Sequence, residues 1–397
     1  MQQIANSIRE FGFINPIIID ANNVIIAGHG RFEAAKLLGL KEVPTIAVHH
    51  LSDAQVKAYR MADNQLTMNS GYDMDLIKVE LGELAGLDLD FDLEITGFET
   101  AEIDILLDGA AEPKPDPADN LPPVELTAVA QLGDVFLLGE HRLICGDSTK
   151  PEVYEALMQG DKAQAVITDP PYAVPISGHV CGLGKTKHRE FVMGGGDMTA
   201  AEFDAFLDNF MVNCVAYSVD GALHYVFMDW RHVYEVIGAG RKHYSELKNI
   251  CVWSKLNAGM GAMYRSQHEM VVVFKHGTAP HINTIMLGKY GRYRSNIWSF
   301  AGVNSFGKQQ EDLKMHPTVK PVAMLVEAIK DCTRRKHIVL DPFGGSGTTL
   351  IAAEKSGRVA RLIELDPKYV DVIVRRWEDF TGQTAIREAA DQEVCAS

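Results

Sequence analysis

The chain has 397 residues, 46% hydrophobic and 23% charged, enough for two or three soluble domains. No apolar run approaches the roughly 20 residues that span a bilayer, and the opening Met1-Gln2-Gln3-Ile4 has no secretory n- or h-region, so a cytoplasmic protein with no membrane partner is expected. Six scattered cysteines without a CxxC pair argue against a disulfide framework or zinc site, and the net charge of −15 argues, on average, against nucleic acid.

Residues 1–68 read as a small mixed domain. A helix over 4–11 leads through Gly12 to a strand over 16–20, a turn at Asn22-Asn23 and a strand over 24–27. Gly28-His29-Gly30 then opens a helix over 31–38 that Gly39 stops. The run Ile25-Ile26-Ala27-Gly28-His29-Gly30-Arg31-Phe32-Glu33-Ala34-Ala35, with the later Val43-Pro44, resembles the ParB/sulfiredoxin-like fold, a small α+β domain. In partition proteins of that family the corresponding turn and arginine bind nucleotide phosphate. Here His29-Gly30 stands where Glu-Arg is common and no cysteine lies in the segment, so a docking or assembly module without catalysis is expected. The chain starts at the first helix, without the strand that precedes it in that fold, which makes a truncated start the expectation.

Residues 69–108 read as acidic helices, with Leu76, Val79, Leu81 and Leu84 among their apolar positions. The stretch 109–123, GAAEPKPDPADNLPP, reads as a linker because its prolines and lack of large apolar residues cannot build a core. A third domain follows over 124–382, with a tail at 383–397. It opens with a hairpin (135–138 and 142–145) around Gly139-Glu140, then a helix over 151–159 and a strand ending at Thr168. Next come a helix over 200–218, a strand over 222–228, a helix over 232–238, and strands over 249–253 and 269–274 flanking a glycine-rich insert. The chain closes with a helix over 322–332, a strand over 338–340, a helix over 348–355, a strand over 359–364 and a helix over 367–380. Strand-helix alternation of this kind predicts a doubly wound parallel sheet.

Two strand ends carry the chemistry. Asp169-Pro170-Pro171-Tyr172 follows Ala165-Val166-Ile167-Thr168, and Asp341-Pro342-Phe343-Gly344-Gly345-Ser346-Gly347-Thr348-Thr349 follows Ile338-Val339-Leu340. Open α/β sheets place their ligand crevices at such ends. The glycines let the backbone approach a ligand, and the helix that follows presents unsatisfied N–H groups. The turn points away from a triphosphate, since Gly347 is followed by Thr348-Thr349 without the lysine of a P-loop. Glu364, about 20 residues on, is placed to accept from ribose hydroxyls, which suits NAD or any adenosine-bearing cofactor. Asp169-Pro170-Pro171-Tyr172 narrows the choice. Asp169 and the Pro170 carbonyl can both accept from an exocyclic amine and aim its lone pair, two prolines hold those acceptors rigid, and Tyr172 can stack on an everted base.

The glycine strand comes near the chain's end, so its sheet must borrow a further strand from earlier in the chain. Residues 142–145 with Gly146-Asp147 are the candidate, which makes the topology circularly permuted. Together these motifs, over roughly 132–382, resemble the β class of S-adenosylmethionine-dependent amino-DNA methyltransferases, which act on adenine N6 or cytosine N4. The resemblance implies that Asp341, Phe343, Gly344, Gly345, Ser346, Gly347 and Thr348 surround the cofactor's methionine moiety, that Glu364 holds its ribose and Asp147 its adenine amine, and that His316, Pro317, Thr318 and Lys320 line the same pocket. It implies Asp169, Pro170, Pro171 and Tyr172 as catalytic residues of a direct in-line transfer. Asp before Pro-Pro leans towards adenine, and no Pro-Cys dipeptide exists for a C5-cytosine enzyme.

Double-stranded DNA is then the expected partner, and the local charge supports it. Between Arg241 and Lys320 twelve Lys/Arg oppose four acids, a surplus of eight, with Trp253, Tyr264, Tyr290, Tyr293, Trp298 and Phe306 interleaved. The family's target-recognition region falls here, at about 241–310. Lys255, Arg265, Arg292 and Arg294 are expected on DNA, as are Lys185, Lys187 and Arg189 of the glycine-rich segment 178–196. For Trp253 a place in the core is the plainer reading. A homodimer and a cognate restriction enzyme are compatible with this picture. From a different class, the chain can be read as a partition-type DNA-binding protein with a dead catalytic half, but the intact pair of motifs speaks against that.

Overall fold

The computed structural model describes residues 1–69, 72–87, 89–108, 116–125, 127–172, 198–255, 263–285, 287, 292–302 and 319–388. Two compact units emerge, Met1–Ala110 and Ala111–Ser397. Among the described residues no helix is long and apolar enough to cross a membrane.

The first unit holds α1 (Gln2–Phe11), β1 (Ile17–Ile19), β2 (Ile25–Ala27), α2 (His29–Leu37), β3 (Thr45–Ala47), α3 (Asp53–Asn69), α4 (Met74–Ala85) and α5 (Thr100–Asp108). Its sheet runs β2-β1-β3, antiparallel at β1–β2 and parallel at β1–β3. The Asn22-Asn23 turn forms because the Asp20 carboxylate accepts from the amides of Asn22 and Val24, both at 2.8 Å, while Asn23 takes a φ of 62° that asparagine tolerates. The acidic helices belong to this unit. Gln3 donates to the Gly97 carbonyl at 3.2 Å, and Phe11 meets Phe91 edge-on at 6.2 Å.

The second unit contains β4 (Val135–Leu138), β5 (His141–Cys145), α6 (Pro151–Met158), β6 (Ala163–Thr168), α7 (Ala200–Ala216), β7 (Ser218–Met228), α8 (Val233–His243), β8 (Glu246–Ser254), β9 (His268–Lys275), β10 (Ile297–Ser299), α9 (Val322–Cys332), β11 (Ile338–Asp341), α10 (Thr348–Ser356), β12 (Val359–Glu364), α11 (Pro367–Thr381) and β13 (Ile386–Glu388). One sheet of ten strands orders them β10-β8-β9-β7-β6-β11-β12-β5-β4-β13. The borrowed strand is where the motif order requires it, with β12 parallel to β5 and Glu364 opposite Cys145. Chain order therefore leaves β11 in two directions, towards β12 on one side and next to β6 on the other. That is a topological switch point, where a ligand crevice opens beyond the strand ends.

Three expectations need correcting. The sheet is mixed rather than parallel throughout: β9 runs antiparallel to both β7 and β8, and β4 antiparallel to β5 and β13. Of these pairs β4–β5 and β8–β9 are consecutive in the chain and need no crossover helix, whereas β7–β9 and β4–β13 bring together strands that are not consecutive. The helix expected to stop at Gly238 continues to His243, because Gly240 serves close packing and not termination. A Cβ at Gly240 would meet the Phe274 ring at 2.2 Å. Finally, the proline-rich stretch is docked over its second half. Asp116 pairs with Lys355 at 2.5 Å, the buried Ala118 offers its carbonyl to Arg376 at 2.8 Å, and Asp119 accepts from the Val322 amide at 2.8 Å. Backbone carbonyls and two acids do there what apolar side chains were expected to be needed for.

Candidate active site

The glycine turn after β11 is built for close approach. Gly344 and Gly347 are required by α11, since a Cβ on either would sit 3.1 Å from Ile373, and Gly347 also has a φ of +80°. Gly345 differs. It is left-handed at +53°, and a Cβ there would meet only the Phe343 carbonyl, at 3.9 Å, so this backbone faces room that a ligand can use. Its amide donates to one oxygen of Glu364 at 2.8 Å, and the Asp366 amide donates to the other at 2.9 Å. Burial, with the charges of Asp366 and Asp341, pushes the Glu364 acid up to about 7 against those two amides. Asp147 lies one residue beyond Gly146, whose amide donates to the Glu364 carbonyl at 3.0 Å; the neighbouring Ser148 hydroxyl is buried without a partner among the described residues. An open glycine edge, a half-buried acceptor and an orphaned hydroxyl fit an adenosine-bearing cofactor.

The other half of the crevice lies one strand away. Thr168, the last residue of β6, donates its hydroxyl to Asp341 at 3.1 Å, and Thr349 donates to the same carboxyl at 2.6 Å. Burial pushes the Asp341 acid up to about 7 against these bonds. Asp169 follows immediately, so both motifs open on the same sheet edge. Phe343 turns its ring onto Phe206 and Phe210 of α7, at 5.6 and 5.2 Å, and thereby acts as a wall of the core as well as of the turn.

Asp169 sits in a compact ionic cluster. Lys320 donates to it at 2.6 Å and to Glu269 at 3.0 Å; the Tyr172 hydroxyl donates to Asp169 at 2.5 Å and to Glu269 at 3.3 Å. Lys255 pairs with the other Glu269 oxygen at 2.5 Å and lies over the Trp253 ring. Burial and the Glu269 charge raise the Asp169 acid, opposed by Lys320, whereas Lys320 and Lys255 together hold Glu269 below its usual range despite burial. The Lys320 ammonium is held above its usual range by these two carboxylates, which outweigh burial. The Asp169 side chain nevertheless keeps 26% exposure, against 6% for Lys320. A reachable acceptor is thus backed by a buried, charge-balanced floor.

Several expected residues are placed differently. Lys320, expected on the cofactor, has its ammonium on the Asp169 cluster. Arg292 and Arg294, expected on DNA, are drawn inward by Asp331, at 2.7 and 3.0 Å, with Glu327 at 3.1 Å from Arg292. Lys255 is likewise committed to Glu269. The basic surplus of 241–320 is therefore smaller than its count, because its counter-charges Asp169, Asp208, Glu327 and Asp331 come from outside that window. Trp253 and Trp298 are core residues, while Tyr264 and Tyr293 stand exposed. His316, Pro317, Thr318, Lys185, Lys187, Arg189, Tyr290 and Phe306 lie outside the described residues.

Two contributors have no role assigned from the sequence. Glu269 is legible there only within Arg265…His268-Glu269, which resembles a strand motif of the family; the stronger signal is that it heads the apolar run Met270-Val271-Val272-Val273-Phe274, a place where an unpaired charge does not belong. Arg376 falls on the apolar stripe Val370, Ile373 and Trp377 of α11, and donates to the Ser346 carbonyl at 2.8 Å and the Thr348 hydroxyl at 3.2 Å.

Comparison with known proteins gives the family of the chain. Residues 163–375 match the family described as DNA methylase, 75–132 the ParB-methyltransferase HTH domain and 1–65 the ParB N-terminal domain. The type II methyltransferase M.ScaI of Streptomyces caespitosus is 37% identical over 89 residues, 22% of this chain and 29% of that protein. The type II methyltransferase M2.MboI of Moraxella bovis is 31% identical over 143 residues, 34% of this chain and 51% of that protein. The chain thus spans about half or less of the length of these two relatives. Among solved structures, the M1.HpyAVI–SAM complex covers 59% of this chain and 97% of its own at 20% identity, with a TM-score of 0.44.

Proposed function

Since the chain belongs to the DNA methylase family, which it matches over more than half its length, we propose that it methylates the exocyclic N6 of adenine in duplex DNA, using S-adenosylmethionine. The observation that carries this reading is the bond from Thr168 to Asp341, which ties the Asp169 turn and the glycine turn to one crevice. The cofactor, when bound, supplies a methyl group on a sulfonium. Gly345, Glu364 and Asp147 would hold it, the first by its open backbone and the acids by accepting from ribose and adenine donors. Asp169 and the Pro170 carbonyl would accept the two N–H bonds of an everted base, localising the nitrogen lone pair and aiming it. Pro170 and Pro171 fix φ, so these acceptors need little reorganisation as the amine attacks. Residues 1–65 would act as an accessory docking module.

Incubating the chain with radiolabelled S-adenosylmethionine and unmethylated DNA, then digesting to nucleosides, is expected to give labelled N6-methyldeoxyadenosine. Labelled N4-methyldeoxycytidine would change the base, and label confined to protein would overturn the substrate class.

The Glu364 acid also predicts a pH dependence. Its folded value of about 7 means that the carboxyl is largely protonated at pH 6 and ionised at pH 8. Only the ionised form is a full acceptor, so cofactor affinity should rise as pH increases across that window, by up to about tenfold per unit at its acid end, and level off above it. Calorimetric titrations with S-adenosylmethionine at pH 6, 7 and 8 check this. Glu364→Gln should bind more weakly and flatten the profile; an unchanged slope would assign it to Asp341 instead.

A further inference from the structure

The cluster at Asp169 contains a carboxylate that the reaction itself does not use. Glu269 is 7% exposed and heads β9, two strands across the sheet from β6. It shares the Lys320 ammonium with Asp169, at 3.0 against 2.6 Å, and it shares the Tyr172 hydroxyl in the same way. The Lys320 ammonium is further enclosed by the rings of Phe227, Tyr172 and Trp253, 5.3 to 5.8 Å from their centroids.

This arrangement raises a problem for any amine that enters. Lys320 holds one oxygen of Asp169 while the Tyr172 hydroxyl holds the other, and it therefore competes with any amine that bonds this carboxylate. It is too deeply enclosed to swing into water, and a buried ammonium without a counter-charge is strongly disfavoured. The second carboxylate resolves the conflict, since it lies within bonding distance of the ammonium already.

We propose that Glu269 is a positioning residue: it takes the Lys320 ammonium wholly when the target amine takes Asp169, so that Lys320 is a placeholder that vacates the amine site without being desolvated alone. This rests on the amine-methylation reading above. The exchange moves one donor between two acceptors and leaves the charge of the cluster unchanged, with two ammoniums and two carboxylates before and after. Lys255, on the far oxygen of Glu269, keeps that carboxylate ionised and aimed while the exchange occurs.

The test is a set of full-length variants assayed on DNA with labelled S-adenosylmethionine at pH 8, with cofactor affinity measured alongside. Glu269→Gln keeps the shape but removes the charge, so Lys320 stays on Asp169; kcat is expected to fall about 100-fold with cofactor affinity unchanged. Lys320→Met added to Glu269→Gln removes the placeholder and should recover about tenfold or more of that loss, whereas a merely structural role makes the second substitution additive or worse. Glu269→Asp, which keeps the charge, should retain activity within about tenfold, and it carries the test if Glu269→Gln folds poorly. Glu269→Gln at wild-type kcat, or a double variant no better than the single one, overturns the proposal while the wild type still methylates DNA. A wild type that transfers no methyl to DNA overturns the amine-methylation reading, and the role of Glu269 with it.

Discussion

Asp169→Ala is expected to lower kcat for DNA methylation by about three orders of magnitude, or ~4 kcal/mol in the barrier, while cofactor affinity stays within about threefold. The size follows from what the side chain does. An exocyclic amine has its lone pair delocalised into the ring, and one rigid acceptor on each N–H is what redirects it. With Asp169 removed the Pro170 carbonyl remains, so orientation is halved rather than abolished. The selectivity follows from the geometry. Asp169 makes no side-chain hydrogen bond to the glycine turn and faces Asp341 there as a like charge, while the Thr168–Asp341 bond at 3.1 Å survives the substitution, as does the ladder between β6 and β11. Lys320 retains Glu269 at 3.0 Å, so its charge is not stranded. Steady-state kinetics on DNA beside calorimetric binding of S-adenosylmethionine separate the two effects. Lost cofactor binding would mean that Asp169 supports the glycine turn, and activity within tenfold of wild type would remove it from the reaction.

Much of this crevice was legible in the sequence because its determinants are local. An apolar run ending in Asp-Pro-Pro-Tyr, or in Asp followed by a glycine turn, is a strand end whatever packs around it, and α9 and β12 begin and end where their punctuation places them. The pairing of β12 with β5 was legible for a different reason: the glycine-bearing strand comes late in the order of motifs, so its half of the sheet draws a strand from upstream. What escaped is non-local. β10 and β13, three residues each, have no period to read and exist only because a neighbouring edge offers its hydrogen bonds. The glycines at 238 and 240 look like a helix stop until Phe274 is seen against one of them. The charge surplus of 241–320 misled because Asp331 neutralises Arg292 and Arg294 from α9. A window counts charges; a fold pairs them.

Arg376 is the sharpest case of such non-local design and leads to the second large effect. Its guanidinium, in a side chain 3% exposed, joins three segments: the Ala118 carbonyl of the docked stretch at 2.8 Å, the Ser346 carbonyl of the glycine turn at 2.8 Å and the Thr348 hydroxyl at the start of α10 at 3.2 Å. Burial lowers its pKa to about 10, with Asp119 and Asp116 opposing, so it remains a cation at neutral pH. Arg376→Leu fills much of the same space but leaves two carbonyls without their donor and removes a positive charge that faces Asp119 and Asp116. Each orphaned group costs about 1–3 kcal/mol, so a loss of about 3 kcal/mol and a fall of roughly 5–10 °C in the melting temperature of the second unit are expected. The glycine turn should also lose its brace, and S-adenosylmethionine affinity measured well below the melt should drop about tenfold or more. Lys355→Ala is the matched control. It unties the same stretch at Asp116, but from a lysine 32% exposed, and should cost less than about 1 kcal/mol and leave affinity unchanged. A destabilised Arg376→Leu with wild-type affinity would make the arginine a fastener of the docked stretch alone. An unchanged melting temperature would mean that residues 116–119 do not hold the crevice at all.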